Sequence, residues 1–542
     1  MYLVVQVFSA TVLALLAYIV LKLVETAYRE WKSPLKVLPG PSSPSFLYGN
    51  MKQIWDAEAG ELHEKWVEEF GSTFRYQSFV GMSRFYTTDT KALNHMLMNS
   101  SIYQKPESVR YNLTELLGPG VLVVEGDKHK QQRKVMNPAF GAAQIRELTE
   151  IFVEKALLMR DIWLTESQKE ENKGRIDVLS WLGRMTLDVI GLAGFNYHFN
   201  ALTNDPEQNE LNKAFTQIFR ARSRMSLVNM GRSLFPVLRY VLPNFEKDTI
   251  IARNTMARIG EKLLSDSRAA LSSDASKMDH SGSKRRDLLS LLMKANSGTD
   301  LAPSQTMSDE DVLAQVPTFL VAGHETTSTA TTWALFALTQ APVVQAKLRE
   351  ELLTVSTDNP TMDELNALPY LDAVVHETLR LHTPVTSTIR IAAQDDIMPL
   401  GKPVLGRNGE MIDRILIKKG QTMLLPILAI NRAESIWGED ARQFKPERWT
   451  ESKNPESVST IPGVWGNLMT FIGGPRACIG YRFSLVEMKA LLFTLVRAFE
   501  FELAVPAEDI RKKTSVVQRP LVASEKEKGH QMPLRLKPFT RV

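Results

Sequence analysis

The one cysteine of the chain, Cys478, lies in a glycine-rich segment, Phe471-Ile-Gly-Gly-Pro-Arg-Ala-Cys478-Ile-Gly480. A lone cysteine forms no intrachain disulfide and no multi-thiolate zinc or iron–sulfur site, so it is either buried and inert or chemically active by itself. Glycines let the backbone approach a flat ligand closely, and helical periodicity over 482–500 begins directly after the loop. The amino terminus of that helix favours thiolate over thiol, and Arg476 can pair with an anionic group on the same ligand.

A second set of residues pairs an acid with a hydroxyl in the segment Ala322-Gly-His-Glu325-Thr326-Thr327. The small residues and the acid–alcohol pair can open a helix groove beside a bound ligand. The alternative is that the Thr326 hydroxyl only bonds back to the carbonyl four residues earlier in the helix. From the residues alone both interpretations stand.

A third set consists of charged residues that can pair. Glu377 and Arg380 lie three residues apart, on one face of a helix, and pairs of that spacing are common on protein surfaces. The segment Phe444-Lys-Pro-Glu-Arg448-Trp449 supplies a further partner, Arg448.

The spacing of Phe471, Gly474, Arg476, Cys478 and Gly480 resembles the heme-binding loop of the cytochromes P450. The resemblance extends over nearly the whole chain, with the motifs in the order of the family, and it is nearest in style to fungal microsomal members. It implies the P450 fold, which is mainly α with small β-sheets.

The resemblance also implies the cofactor and its ligands. The cofactor is heme b, with Cys478 as the axial thiolate of the iron and Arg476 on a propionate; Phe471, Gly474 and Gly480 shape the loop. His129-Lys-Gln-Gln-Arg133 resembles the family segment that contacts a propionate, although His stands where Trp is commoner. Arg390 is a further predicted propionate partner.

The remaining motifs gain roles from the same resemblance. Glu325 is expected to be the proton-relay acid and Thr326 the alcohol beside dioxygen. Pro317 is expected to bend the helix that carries them. A buried network that supports the heme site is expected to join three residues, namely Glu377, Arg380 and Arg448.

The amino terminus is expected to be a membrane anchor. No charged residue occurs from Met1 to Leu21, which is long enough to cross a bilayer, and basic residues follow it at positions 22, 29, 32 and 36. A cleaved signal peptide is the competing interpretation, but it would need a basic start and a small-residue cleavage site. The predicted domains are an anchor (1–24), a basic, proline-rich hinge (25–50) and one heme-thiolate monooxygenase domain (51–542).

The elements that must hold these residues are mostly helical. The pattern predicts a helix over 60–70, a hairpin over 74–88, helices over 142–294 with a polar loop at 272–286, one continuous helix from Ser308 to about Gln340, and late strands at 388–393 and 415–426. The overall expectation is a mainly helical fold with small sheets behind one transmembrane helix.

The expected activity is insertion of one oxygen atom from O2 into a lipophilic substrate. No nucleotide fingerprint is present, so the electrons are expected from a separate NADPH-cytochrome P450 reductase, with cytochrome b5 as a possible second donor. A basic docking face for the reductase is predicted, with an ordinary solvated surface as the alternative; its residues are Lys128, Lys130, Arg133, Lys134 and Arg482. The net charge of +4 is too small to indicate nucleic acid.

The substrate favoured by these expectations is a terpenoid or steroid of fungal secondary metabolism, with fatty acids and xenobiotics as alternatives. The expected location is the endoplasmic reticulum membrane, spanned once, with the catalytic domain in the cytosol. An oxygen-independent isomerase or dehydratase on the same fold, a non-enzymatic heme carrier and a tethered binding protein without heme are the competing classes.

Overall fold

The computed structural model describes residues 2–169, 174–203, 231–232, 235–241, 247–276, 287–296, 306–451, 454–514 and 516–540. Its helices are α1 (Tyr2–Trp31), α2 (Met51–Asp56), α3 (Glu61–Phe70), α4 (Thr90–Met98), α5 (Glu107–Leu117), α6 (Gly126–Met136), α7 (Ala142–Ser167), α8 (Val178–Phe195), α9 (Leu238–Val241), α10 (Lys247–Ser276), α11 (Leu288–Asn296), α12 (Asp309–Leu313), α13 (Gln315–Gln340), α14 (Pro342–Leu352), α15 (Met362–Asn366), α16 (Pro369–Leu381), α17 (Ile427–Asn431), α18 (Glu434–Trp437), α19 (Glu447–Thr450) and α20 (Tyr481–Ala498).

The strands are short. They are β1 (Thr73–Gln77), β2 (Ser83–Thr87), β3 (Tyr103–Gln104), β4 (Arg175–Asp177), β5 (Thr388–Ala392), β6 (Asp396–Leu405), β7 (Met411–Ile417), β8 (Thr422–Leu425), β9 (Phe499–Leu503), β10 (Ile510–Thr514), β11 (Gln518–Val522) and β12 (Pro533–Pro538). The predicted mainly helical fold with small sheets is confirmed.

The chain divides into two compact units. Unit 1 comprises 1–109, 224–246 and 387–426, and unit 2 comprises 110–223, 247–386 and 427–542. In unit 1 a five-stranded sheet has the order β1-β2-β8-β5-β3, and β6 pairs with β7. The predicted hairpin is β1–β2, with Thr73 opposite Thr87.

Unit 2 is built around helices. Helix α13 packs against α8 and α20, and α20 packs against α7. Aliphatic and aromatic side chains of these helices form one continuous core. Small sheets lie in the same unit, one with the order β4-β12-β9 and one made of β10 and β11.

Two expectations about helices are wrong in detail. The predicted helix from Ser308 to Gln340 is broken at Ala314 into α12 and α13, so Pro317 stands in the first turn of α13, where a missing N–H costs no hydrogen bond. The predicted loop at 272–286 is partly helix, because α10 reaches Ser276; residues 277–286 lie outside the described residues.

The predicted strand at 415–426 is two strands. β7 ends at Ile417 and β8 begins at Thr422, with Gly420 between them at a φ of +84°. This left-handed conformation favours glycine and lets the chain turn between the strands.

Two described helices are long and apolar enough to span a membrane. Helix α8 is mostly buried, which marks it as a core helix of unit 2, whereas α1 has no buried residue and a mean hydropathy of 2.4. Helix α1 therefore remains the candidate membrane span.

Candidate active site

The backbone of the loop that carries Cys478 leaves no room for a side chain at Gly473. A Cβ on Gly473 would lie 1.9 Å from the carbonyl oxygen of Pro462, and Gly474 has a φ of +70°. The Cys478 N–H donates to the Phe471 carbonyl at 3.0 Å, which closes the loop just before α20. These contacts fix the position of the sulfur.

The Cys478 side chain is accessible although protein surrounds it. Burial raises the pKa of the thiol; a hydrogen bond from the Gly480 backbone and the charge of Arg133 lower it by less. An accessible sulfur in such dense surroundings lines an interior space. The sequence predicted that the helix terminus favours the thiolate, whereas in the folded chain burial has the larger, opposite effect on the pKa of the thiol.

Helix α13 presents a second accessible surface inside unit 2. Val321, His324, Glu325 and Thr327 are buried, yet Ala322 is exposed and Thr326 is partly exposed. Phe140 lies between this helix and the cysteine loop: its ring is 5.6 Å from that of Phe319, and a Cβ on Gly480 would lie 3.7 Å from it. The small residues and the alcohol of α13 and the lone thiol of the loop lie in the same unit, and residues of these types suit a flat, metal-centred group such as heme.

Two arginines flank the cysteine loop. Arg476 forms an ion pair with Glu125 and donates to the Val124 carbonyl at 2.7 Å. Burial, followed by the charge of Arg110, lowers its pKa to about 10. Arg133 donates to the Ala477 carbonyl at 2.5 Å and to Asn137 at 3.0 Å. Cations around the loop suit an anionic substituent. Glu125 was not predicted from the sequence, because it lies outside the P450 motifs.

The two weaker predictions lie in different units. His129 is buried on α6 in unit 2, one turn before Arg133. Arg390 is buried on β5 in unit 1, where it donates to the Thr388 hydroxyl and the Ile389 carbonyl, both at 2.9 Å; burial lowers its pKa to about 10. Contact of either residue with a propionate stays a prediction.

Glu325 and Thr326, the acid and the alcohol of α13, contact different neighbours. The Thr326 hydroxyl donates to the Ala322 carbonyl at 2.8 Å, the back-bonding that the sequence left open. Glu325 is buried and forms an ion pair with Arg519 of β11. His324 is buried as well, and its Nε2 lies 4.0 Å from a Glu325 oxygen. The sequence missed Arg519, since no motif surrounds it.

The three predicted network residues are brought together in unit 2. Glu377 accepts two hydrogen bonds from Arg380, at 2.7 and 2.8 Å, and lies 3.6 Å from Arg448 Nε; all three side chains are buried. Trp449 donates to Glu377 at 3.0 Å. Asp440, which the sequence did not single out, accepts from Arg448 at 2.8 Å.

The predicted basic docking face is partly neutralised. Lys128 forms an ion pair with Asp311, and Lys130 lies 3.0 Å from Asp127. The charge that remains for a docking partner is therefore smaller than the sequence suggested.

The sequence model of the cytochrome P450 family matches residues 39–524. Cytochrome P450 monooxygenase 205 of Postia placenta is 54% identical over 98% of this chain and 97% of its own length. Cytochrome P450 monooxygenase claP of Ampulloclitocybe clavipes is 38% identical over 92% of each chain. Ganoderic acid synthetase CYP5150L8 of Ganoderma lucidum is 34% identical over 90% of this chain and 91% of its own length.

The chain belongs to the cytochrome P450 family. It is an oxidoreductase of the P450 monooxygenase type, similar throughout its length to fungal members, and the family implies a heme-thiolate iron cofactor. The resemblance on which the sequence analysis relied is confirmed.

Proposed function

We propose that the protein is a membrane-anchored monooxygenase that binds heme b through Cys478 and inserts one oxygen atom from O2 into a lipophilic substrate. The observation that carries the proposal is the accessible Cys478 thiol in unit 2, on a loop in which a side chain at Gly473 would clash with the Pro462 carbonyl. Heme, when bound, supplies the oxidising chemistry, with the thiolate favouring O–O cleavage.

The residues around this site have distinct tasks in the proposal. Arg476 and Arg133 pair with the propionates, His129 and Arg390 complete that set, and Phe471, Gly474 and Gly480 shape the loop. The contacts of Arg476 and Arg133 beside the loop support the first assignment.

Proton supply is assigned to helix α13. The Glu325 carboxyl acts as the proton-relay acid. The Thr326 hydroxyl passes a proton, at Oγ1, toward the accessible face of the helix. The partly exposed position of Thr326, next to exposed Ala322, supports this role. Glu377, Arg380 and Arg448 hold the backbone that supports the cysteine loop.

The electrons come from a separate NADPH-cytochrome P450 reductase, with cytochrome b5 as a second donor, at the endoplasmic reticulum membrane. Exposed, apolar helix α1 and the basic residues after it support one membrane span with the catalytic part in the cytosol. A terpenoid or steroid of secondary metabolism is the favoured substrate, and the relative named ganoderic acid synthetase supports that choice.

The carbon-monoxide difference spectrum of the reduced, detergent-solubilised protein tests the cofactor assignment. We expect a strongly red-shifted Soret band in the wild type, its loss in Cys478→Ser, and no change in Ser459→Ala, an exposed residue. A thiolate band that persists in Cys478→Ser would overturn the assignment of the ligand.

The same preparation separates the competing functions. A heme carrier would show the band but would not oxidise NADPH with the reductase, and an isomerase would convert substrate without O2 or NADPH. For the relay, Thr326→Ala should keep consuming NADPH while releasing peroxide. Unchanged coupling to product would argue against Thr326. Among terpenoids, steroids and fatty acids, the substrate class is the one that shifts the ferric spin state.

A further inference from the structure

We propose that Arg519, on the second strand of the hairpin β10–β11, is the positioning residue for Glu325. The inference rests on the proposed role of Glu325 as the proton-relay acid. It adds a residue outside helix α13 to the machinery that delivers protons, and it couples the hairpin to that helix.

The first support is the direct ion pair between the two side chains. A guanidinium nitrogen of Arg519 donates to a Glu325 carboxylate oxygen, and both side chains are largely buried, 13% and 8% exposed. Exposed pairs contribute little because solvent screens them, but this pair is shielded from solvent. The contact therefore restricts the carboxylate to one orientation.

The second support is that the hairpin strand is fixed against the helix at the residue before the arginine. The Trp333 indole N–H of α13 donates to the Gln518 carbonyl at 2.8 Å. The Gln518 N–H donates to the Pro384 carbonyl at 2.7 Å. With Gln518 held from both sides, the backbone that carries Arg519 has a defined place beside α13.

The third support concerns the other basic group near Glu325. His324 Nε2 lies 4.0 Å from the same carboxylate oxygen, but burial lowers the pKa of this imidazole, which keeps it neutral at pH 7. The positive charge that balances Glu325 is thus supplied by Arg519.

The orientation has a consequence for the relay. Glu325 is buried toward β11, whereas Thr326, the next residue, is partly exposed on another face of the helix. Successive helical residues point about 100° apart, so Arg519 sets how the carboxyl stands relative to the alcohol. Without the arginine, the carboxyl loses this fixed relation to Thr326.

The test uses the heme-loaded, full-length enzyme with NADPH reductase and no added substrate. The readout is the fraction of NADPH electrons recovered as hydrogen peroxide. We expect Arg519→Met to raise this fraction by about threefold or more. This factor corresponds to the lower end of the interaction free energies found between contacting residues. Arg519→Lys should restore most of the wild-type value. Arg511→Met, an exposed arginine on β10, should leave it unchanged.

A double-mutant cycle on thermal unfolding supplies a second readout, independent of turnover. The melting shifts of Arg519→Met and Glu325→Gln should be non-additive in the double variant if the side chains pair. Additive shifts, or a peroxide fraction in Arg519→Met equal to that of the wild type, would overturn the inference. Failure of the proposed function is distinguishable, since the wild type would then lack the thiolate band or fail to oxidise NADPH, while the unfolding cycle would still decide the pairing.

Discussion

Individual residues of unit 2 are buried in pairs of opposite charge. Glu377 pairs with Arg380, Glu325 with Arg519, and Glu125 with Arg476. An isolated buried charge would cost several kcal/mol, and each partner offsets most of that cost. Arg476 lies in the cysteine loop and Glu325 on α13, so the packing that stabilises unit 2 also orients residues of its candidate site.

The Glu377–Arg380 pair leads to a stability prediction. Glu377→Ala should destabilise the protein by about 3–5 kcal/mol, because it leaves the fully buried Arg380 without its carboxylate. Loss of the thiolate band on heating is the measurement. Glu434→Ala is the matched control, since Glu434 forms an exposed pair with Arg442 at 3.7 Å. Equal shifts for both variants would show that the buried network is not stabilising.

Glu487 is a buried acid of a different kind. Its side chain is fully buried on α20, and beside it is the hydroxyl of Thr327. Burial raises the pKa of this carboxyl well above its ordinary value of 4.5, against a smaller opposing effect of Thr327. The folded protein therefore keeps the proton at pH values where the unfolded chain has lost it.

The raised pKa predicts that Glu487→Gln is more stable than the wild type, by an amount that grows as the pH rises. Below pH 4.5 the acid is protonated in both states, so the variant and the wild type should be equally stable in this respect. As the pH rises toward the folded pKa, the wild type loses about 1.4 kcal/mol per pH unit that the amide does not lose. Melting temperatures from pH 5 to pH 8 measure the difference.

Glu364→Gln is the control, for which we expect the opposite change in stability. Hydrogen bonds from Thr361 lower the pKa of the Glu364 carboxyl, so its stabilising effect is present above pH 4.5 and is lost in acid. This variant should therefore be less stable than the wild type at neutral pH. A Glu487→Gln variant that is no more stable than the wild type at pH 8 would contradict the assignment of a neutral buried acid.

At the scale of elements, α12 has a defined start and is held by residues of α6 before the break at Ala314. Ser308 and Asp311 form a capping box, and the Asp311 carboxylate also pairs with Lys128 and accepts from Gln132 at 3.3 Å. The break itself falls where Pro317 has no N–H to donate to the carbonyl of Leu313, four residues earlier. Helix α13 then begins at Gln315 and leaves Ala322 exposed and Thr326 partly exposed.

The cysteine loop gives a prediction at this scale. Gly473→Ala should weaken or abolish the thiolate band although Cys478 remains, because the new methyl group would meet the Pro462 carbonyl at 1.9 Å and force the backbone to move. Gly183→Ala in α8 is the control, since no atom lies within 4 Å of its Cβ position. We expect Gly183→Ala to keep the full band, with a gain in stability of about 0.5–1 kcal/mol. An undiminished band in Gly473→Ala would show that the loop tolerates a side chain.

At the scale of the whole molecule, helix α1 stands out because its apolar side chains are not buried against the rest of the protein. It has no charged residue from Tyr2 to Leu21, and none of its side chains is buried in the protein. A water-soluble helix of this length would expose that surface at a large cost. A bilayer core is the environment that removes it from water.

Deletion of residues 2–21 tests this interpretation. The truncated protein should retain its carbon-monoxide spectrum, because no residue proposed to bind heme lies in that segment, and it should float with lipid vesicles less than the full chain does. The full-length protein in the same vesicles is the reference. Undiminished flotation of the truncated protein would assign membrane binding to another surface.

The sequence determined the features that depend on neighbouring residues. The apolar run of α1, the cap at Ser308, the helix after Cys478 and the hairpin β1–β2 all follow from local periodicity or turn chemistry. The motif spacing around Cys478 was sufficient to identify the family, because five fixed positions in ten residues seldom recur by chance.

The tertiary structure alone decided the partners of the site residues. Arg519 and Glu325 are 194 positions apart, and Glu125 and Arg476 are 351 apart, so no local pattern links them. It also decided that burial raises the pKa of Cys478, which the helix terminus by itself would have lowered. The physical reason is that ion pairing and desolvation depend on which distant segments pack together, whereas caps, turns and amphipathic faces depend on residues within a few positions of each other.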